Sequence, residues 1–182
     1  MKHLLDKTFV MLDVETLSTR SNAKILSIGA LAFTIPVGGE DLTFYKRIDP
    51  NSYKPNDFHS SQETLDWWNT QPEEVRQEAF GGHLYILDVL FDFYDWFPKD
   101  AIVISNGADF DIPIVQTAYE IYYTKAPWNY RNKLCYRTLK NLFPEVEVPT
   151  VQGVTKHNAI DDCIIQTSHF RAIINHLLLK GN

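Results

Sequence analysis

The stretch FVMLDVETLSTR, residues 9–20, holds the pattern on which the fold prediction depends. Residues 9–12 are apolar and predict a strand that enters the core. Asp13 and Glu15 follow two positions apart, and residues at i and i+2 of a strand point to the same face. Carboxylates placed side by side repel each other, and burying them costs additional free energy. The stretch therefore predicts a first strand that ends in an acidic pair in need of a compensating partner.

The composition predicts one globular domain that spans residues 1–182. The chain is 45% hydrophobic and 13% aromatic, which is typical of a protein with a sizeable core. No apolar run reaches the roughly 18 residues of a membrane span, and the N-terminus has no long apolar stretch of the signal-peptide type. Cys135 and Cys163 lack metal-type or redox-type spacing. We expect both to be reduced thiols in a cytoplasmic protein.

The net charge of -6 and the pI of about 5.4 argue against a protein that holds nucleic acid by bulk electrostatics. The same charge and pI are compatible with an enzyme that binds the end of a nucleic-acid chain through local contacts. Residues 121–144 form an exception, since they contain no acidic residue and interleave Lys and Arg with Tyr and Trp. This composition is typical of a single-strand binding surface, and equally of a solvated face above an aromatic core.

The order of predicted elements indicates an α/β fold. Strands are predicted over residues 8–15, 24–35 and 42–48 as an antiparallel meander with a turn at 36–41, and a buried strand over 101–105. Helices are predicted over 60–71, from 72 onward, and over 83–97, 110–123, 136–143 and 155–180, with a fifth strand before residue 136. We therefore expect a central mixed sheet, a three-strand meander plus parallel strands, flanked by helices.

Two local patterns refine the helix predictions. Thr70 and Glu73 have capping-box spacing, which predicts that Thr70 caps the helix that follows. In the helix over 83–97, helical spacing predicts an apolar face made of Leu84, Leu87, Leu90, Phe91 and Tyr94.

Acidic residues recur at two further places where packing alone would not select them. Asp109 and Asp111 follow the buried strand over 101–105, and His157, Asp161 and Asp162 open the last helix. Each group has an ordinary structural explanation, such as an Asx turn, a helix-dipole contact or a structural histidine. Together they are expected at one edge of the sheet, where strand ends and helix starts meet. Several carboxylates at one edge require a bound cation.

The ligand types narrow the choice of cation. Carboxylates without cysteine favour Mg²⁺ or Mn²⁺. A pair of such ions suits in-line displacement at phosphorus, and a histidine beside them is a natural general base. The residues thus predict phosphodiester chemistry.

Three motifs resemble those of a known superfamily. LDVET (12–16), NGADFD (106–111) and HNAIDD (157–162) are similar, in this order, to the motifs of the DEDDh exonucleases, the RNase T and DnaQ-like superfamily with an RNase H-like fold. Their surroundings, over about residues 8–172, resemble a branch of short enzymes related to ribonuclease AS and to phage-encoded 3′–5′ exonucleases. The resemblance implies a 3′–5′ exonuclease with two divalent cations, Mg²⁺ or Mn²⁺.

The resemblance also implies roles for five residues. Asp13 would bridge both cations, Glu15 and Asp162 would complete the first site, and Asp111 would hold the second. His157 would take the proton of the attacking water.

The choice within each acidic pair follows the motifs. Asp111 is preferred to Asp109 because it directly follows Phe110, and Asp162 is preferred to Asp161 because it lies five positions after His157. Helical periodicity does not separate Asp161 from Asp162.

The resemblance suggests contacts with the substrate as well. The backbone of Thr16 and the side chain of Leu17 would meet the terminal nucleotide. Asn106 would orient the 3′ end or merely cap a turn. Arg137 would contact phosphate or pair with a buried acid, and Arg20, Arg131 and Lys133 are further phosphate candidates.

Trp67 and Trp68 are adjacent in a predicted helix, about 100° apart, so they cannot both face the core. One ring is expected to pack inside and the other to stack on a base, and the sequence leaves open which does which. Trp68 is named as the substrate-binding candidate. The alternative is that both rings belong to a core or a subunit contact.

The sequence predicts a metal-dependent exonuclease that acts on the 3′ ends of single-stranded nucleic acid without a membrane partner. An inactive binding module of the same fold and a phosphodiesterase for dinucleotides are the alternatives. DNA and RNA both stay open, because no residue reveals how the 2′ hydroxyl is treated. A homodimer is a candidate assembly, since the superfamily contains many dimers.

Overall fold

A five-stranded mixed sheet organises the computed structural model, which describes residues 5, 7–35 and 38–180. The strands are β1 (Thr8–Thr16), β2 (Ile25–Thr34), β3 (Leu42–Arg47), β4 (Ile102–Ser105) and β5 (Lys133–Cys135), in the order β3-β2-β1-β4-β5. The meander β1-β2-β3 is antiparallel, whereas β4 pairs in parallel with β1 and β5. The predicted mixed sheet is confirmed. The turn predicted at 36–41 lies partly outside the described residues.

Helices cover both faces of this sheet. They are α1 (Gln62–Asn69), α2 (Glu73–Phe80), α3 (Ile86–Trp96), α4 (Asp111–Ile121), α5 (Tyr136–Leu142) and α6 (Ala159–Lys180). Helix α6 begins four residues later than predicted, so that His157 lies in the loop before it. In the described part of the chain, no helix has the length and apolar character needed to cross a membrane. Cys135 and Cys163 are both free thiols.

The side chains of β1 point alternately into two hydrophobic cores, one on each face of the sheet. Val10, Leu12 and Val14 pack in the cluster that contains the buried faces of α3 and α4. Phe9 and Met11 pack in the cluster that contains α6. Because side chains alternate along a strand, Asp13 and Glu15 continue the face that α6 covers. The acidic pair therefore points toward the start of α6.

The predicted apolar face of α3 is wrong in part. Its buried residues are Ile86, Val89, Leu90 and Phe93, whereas Phe91 and Tyr94 are 54% and 49% exposed. Two apolar stripes run along this helix, and helical spacing alone does not choose between them. Packing decides, because the Phe93 ring lies 5.0 Å from the Phe44 ring of β3.

The predicted capping box at Thr70 is also wrong. Thr70 is the C-cap of α1, and its Oγ1 donates a hydrogen bond to the carbonyl oxygen of Trp67 at 2.7 Å. The N-cap of α2 is Pro72, without a side-chain cap. Only residues 70–72 separate α1 from α2, and the Thr70 hydroxyl bonds the last turn of α1 instead of capping α2.

Gly29 of β2 allows α6 to approach the sheet. It pairs with Asp13 across the β1–β2 ladder. A Cβ atom at this position would lie 2.3 Å from the carbonyl carbon of Ala159 and 2.5 Å from its oxygen. Only glycine permits this contact, which brings the first turn of α6 next to Asp13.

We predict that Gly29→Ala destabilises the protein by about 3 kcal/mol, because the added methyl group meets backbone that cannot rotate away. Denaturant unfolding followed by circular dichroism measures the change. Gly39→Ala is the matched control, since a Cβ there meets nothing within 4 Å. Equal stability of the two variants would contradict the packing argument.

Candidate active site

Four carboxylates from three elements converge at the end of β1. Asp13 and Glu15 come from β1, Asp111 from the first turn of α4 and Asp162 from the first turn of α6. The backbone N–H of Val14 donates to Oδ1 of Asp111 at 3.2 Å, which ties the start of α4 to β1. The structure thus brings together all four acids that the motifs indicated.

The neighbouring acids of each pair lie elsewhere. Asp111 is 3% exposed, whereas Asp109 is exposed at the surface. Asp162 accepts the backbone N–H of His157, and Asp161 instead accepts that of Thr155 at 2.8 Å. The preference for Asp111 and Asp162 therefore agrees with the geometry.

His157 lies at the mouth of the acidic cluster in a fixed backbone turn. Its φ angle of 63° is left-handed, and its N–H donates to Oδ2 of Asp162 at 3.1 Å. Ligand atoms of Glu15, His157 and Asp162 lie within 4.8 Å of one another. The imidazole is thus placed where it can take a proton or contribute to holding a cation.

Burial and mutual repulsion raise the pKa values of the four acids. Burial, together with the charges of Asp111, Glu15 and Asp162, raises the pKa of Asp13 well above its ordinary value. Burial raises the pKa of Glu15 to about 8, with Asp162 and Asp111 contributing. Burial also raises the pKa of Asp111 to about 7 and raises that of Asp162. The cluster favours protons when no cation is present.

The donor set fits divalent cations that prefer oxygen. It consists of four carboxylates and one imidazole, without a thiolate. None of the ion pairs found within residues 5, 7–35 and 38–180 involves any of the four carboxylates. Buried like charges without a cationic side chain as partner are stabilised by a bound metal ion.

The two tryptophans of α1 have separate surroundings. Trp68 is 1% exposed, and its indole N–H donates to the carbonyl oxygen of Thr16 at 2.9 Å. Trp68, the substrate-binding candidate, is therefore corrected as a stacking residue, because a ring that is 1% exposed offers no free face to a base. Trp67 is 41% exposed, and its ring centroid lies 5.1 Å from that of His157. The exposed ring beside the acids is Trp67.

A groove of about 400 Å³ runs from the acids along α1. It is lined by the end of β1, the outer turns of α1 and the residue before α4: Val14, Glu15, Thr16, Thr19, Glu63, Thr64, Trp67, Trp68 and Phe110. Its volume suits a nucleotide-sized ligand. No pattern in the sequence indicated Glu63 or Thr64, which reach the groove because α1 lies beside the end of β1. Phe110 reaches it from the start of α4.

The remaining substrate candidates divide by position. Thr16 lines the groove, and Leu17, which was predicted to meet the terminal nucleotide, packs in the cluster with Trp68. Asn106 accepts a hydrogen bond at its backbone oxygen from Nη2 of Arg137 at 2.7 Å. Arg137 also lowers the pKa of Asp111, although burial of Asp111 outweighs this effect. Arg137 therefore lies on the Asp111 side of the cluster.

The basic and aromatic segment 121–144 is not one surface. Trp128 and Tyr136 are buried, whereas Tyr123 and Tyr130 are exposed. Lys133 pairs with the start of β4 and donates to Gln116, at the end of the sheet opposite the acids. Arg131 stacks over Tyr130 there. Of the predicted basic residues in this segment, Arg137 is the one beside the acidic cluster.

Comparisons with known proteins agree with this geometry. The model of the Rv2179c-like 3'-5' exoribonuclease domain family matches residues 8–174. The solved structure of cell-death related nuclease 4 (CRN-4) is 15% identical with a TM-score of 0.61, over 96% of this chain and 66% of that one. E. coli exonuclease I in complex with a dA16 oligonucleotide is 15% identical with a TM-score of 0.64, over 97% and 44%. The zinc-bound E. coli exonuclease I–ssDNA complex is 14% identical with a TM-score of 0.66, over 93% and 41%.

These solved structures confirm the RNase H-like exonuclease fold. At 15% sequence identity the likeness shows the fold and nothing more specific. The chain spans between about two-fifths and two-thirds of their lengths. No curated protein matched the sequence.

We predict that, with a chelator present, the free energy of unfolding falls as the pH rises from about 4.5 to 8. The pKa of Glu15 is 4.5 in the ordinary case and about 8 in the folded protein, so the folded state binds more protons in this window. Each such carboxyl contributes a slope of about -1.4 kcal/mol per pH unit. Urea unfolding at a series of pH values measures it.

Glu15→Gln should flatten this slope, because the amide does not titrate. Asp109→Asn is the control, since Asp109 is exposed and outside the cluster. A slope that is the same in the wild type and Glu15→Gln would show that burial of Glu15 does not set the pH dependence.

Proposed function

Because the chain belongs to the family of Rv2179c-like 3'-5' exoribonuclease domains, we propose that it is a metal-dependent exonuclease. It removes nucleoside 5′-monophosphates from the 3′ end of single-stranded nucleic acid by phosphodiester hydrolysis. The observation that supports this most directly is the convergence of four carboxylates and His157 at one end of a groove, where Asp111 is buried and the other three acids are partly buried.

The acidic residues hold the cations in this proposal. The charges of Asp111, Glu15 and Asp162 all act on Asp13, so Asp13 is the carboxylate that two ions would share. Glu15 and Asp162 would hold one ion, and Asp111 would hold the other. When bound, two divalent cations stabilise negative charge on the scissile phosphate and lower the pKa of water. Mg²⁺ or Mn²⁺ is the proposed pair, because the donors are oxygen atoms.

His157 acts as the general base. Its backbone is held by Asp162, so the ring stays beside the carboxylates while one nitrogen faces the site. It takes the proton of the attacking water as the bond from the water oxygen to phosphorus forms. The bond from phosphorus to the 3′ oxygen of the preceding nucleotide breaks in the same displacement, and that oxygen takes up a proton from solvent to become the new 3′ hydroxyl. The contact with Trp67 limits the rotation of the imidazole, which keeps the base oriented.

The groove holds the terminal nucleotide. The exposed face of Trp67 offers a stacking surface for a base, and the strand end at Thr16 closes the groove next to the acids. Arg137 and Asn106 approach the cluster from the Asp111 side and are proposed to contact the phosphate there. A groove that ends at the carboxylates suits a chain end.

RNA is the proposed substrate class, because the family description names an exoribonuclease. The exonuclease I neighbours are described with single-stranded DNA, so DNA is the comparison arm of the test. A cytoplasmic location and a homodimer are part of the proposal and follow from the sequence considerations alone.

Purified protein with Mg²⁺ should shorten a 5′-labelled single-stranded oligonucleotide one nucleotide at a time, and RNA faster than a DNA of matched sequence. A 3′-labelled oligonucleotide should release labelled mononucleotide from the start. Denaturing gels resolve both. Release of a long labelled fragment from the 3′-labelled strand would exclude this polarity.

Asp13→Asn and His157→Ala should each lower kcat by about 100- to 10,000-fold, the usual contribution of positioned acid–base and charged groups. Asp109→Asn is the control, because Asp109 is exposed at the surface and lies outside the cluster. Wild-type turnover in His157→Ala would remove the proposed base.

Trp67→Ala should raise KM for short oligonucleotides about tenfold or more, since stacking of a base is worth roughly 1–3 kcal/mol. Trp67→Phe should recover most of this loss because it keeps an aromatic face. Steady-state kinetics on a fluorescent trinucleotide separates the constants. A fall in kcat at unchanged KM would indicate that Trp67 supports only the His157 ring.

A further inference from the structure

We infer that Gln166 is a positioning residue for Asp13: its side-chain amide holds one carboxylate oxygen and so fixes the orientation in which Asp13 meets a cation. This inference rests on the proposed function, because it concerns the same site. Neither the sequence motifs nor the family comparison assigns a role to Gln166.

The geometry gives Gln166 direct access to the acid. It lies four residues after Asp162 in α6, so both side chains project from the same face of the helix. Its Nε2 donates to Oδ1 of Asp13 at 3.0 Å. In the described part of the chain this is the one side-chain hydrogen bond that Asp13 receives. The second carboxylate oxygen of Asp13 is left for other partners.

Folding alone does not account for a glutamine at this position. Gln166 is 7% exposed, and its Oε1 is buried without a hydrogen-bond partner among the described residues. Leaving a buried carbonyl oxygen unpaired costs about 1–3 kcal/mol. The adjacent turns of α6 bury Cys163 and Phe170, so an apolar side chain would suit this face better. A costly buried polar group points to a function.

The other neighbours of Asp13 do not orient it. Asp111, Glu15 and Asp162 are all carboxylates, whose charges repel Asp13 when it is ionised. Gln166 is the neutral donor among them, and its amide plane selects one rotamer of Asp13. Groups that hold a metal ligand in this way usually change metal affinity or activity by about 10- to 100-fold when removed.

The test compares Gln166→Met with the wild type, because methionine keeps the length and burial but has no donor. Binding of Mn²⁺ is measured by electron paramagnetic resonance without nucleic acid, and Tm by calorimetry in a chelator. We expect Mn²⁺ affinity to fall about 10- to 100-fold, with Tm unchanged or higher. In kinetics, the Mn²⁺ concentration for half-maximal kcat should rise while KM for the oligonucleotide stays within about twofold.

Thr167→Val is the matched control. Thr167 is the next residue of α6 and is 2% exposed, and within the described part of the chain its Oγ1 has no hydrogen-bond partner, so it holds none of the carboxylates by a hydrogen bond. It should leave Mn²⁺ affinity and kinetics unchanged.

Two results would overturn the inference. One is a Mn²⁺ affinity of Gln166→Met within about twofold of wild type. The other is a fall in Tm together with a fall in Mn²⁺ affinity and a rise in KM for the oligonucleotide by similar factors. This combination would indicate a structural role only. The Mn²⁺ measurement needs no nuclease activity. A wild type that binds Mn²⁺ but leaves oligonucleotides intact would therefore overturn the proposed function and still decide the role of Gln166.

Discussion

The contact between Gly29 and the backbone of Ala159 is the constraint on which the site depends. Gly29 is the ladder partner of Asp13, so whatever packs on Gly29 also lies next to Asp13. With no side chain at Gly29, the first turn of α6 lies directly on the sheet. Asp162 therefore reaches the cluster from the helix while Asp13 reaches it from the strand. A larger residue at position 29 would separate the two halves of the site.

This close packing has an electrostatic consequence. Carboxylates that are brought together and buried acquire raised pKa values, as Asp13, Glu15 and Asp111 do. The fold is able to assemble them because protons neutralise the cluster when cations are absent. In the proposed enzyme a divalent cation would replace those protons, so that metal binding and proton release would be linked at this site. The repulsion between Asp13 and Glu15 would thus favour cation binding in the proposed function.

The sequence predicted the features that depend on the chain's own periodicity. Alternation along β1 placed Asp13 and Glu15 on one face, and the motif spacings indicated that Asp111 and Asp162 would lie near them. The sequence did not predict which residues are buried where contact with a neighbouring element determines this. The exposed Phe91 in α3 is one case, because only contact with β3 selects which of two apolar stripes is buried. Helix propensity and spacing contain no information about that contact.

The tryptophan pair follows the same rule and links binding to chemistry. Helix α1 packs against the end of β1, and this contact determines that Trp68 turns inward and donates to the carbonyl oxygen of Thr16. Because successive helical residues differ by about 100°, Trp67 must then face the groove. There its ring contacts His157 edge-on, next to the space left for a base. A base that stacks on Trp67 would therefore press on the ring that orients the proposed general base. Occupancy of the groove and orientation of His157 are therefore coupled through the side chain of Trp67. The position of Trp67 follows from the buried hydrogen bond of its neighbour Trp68.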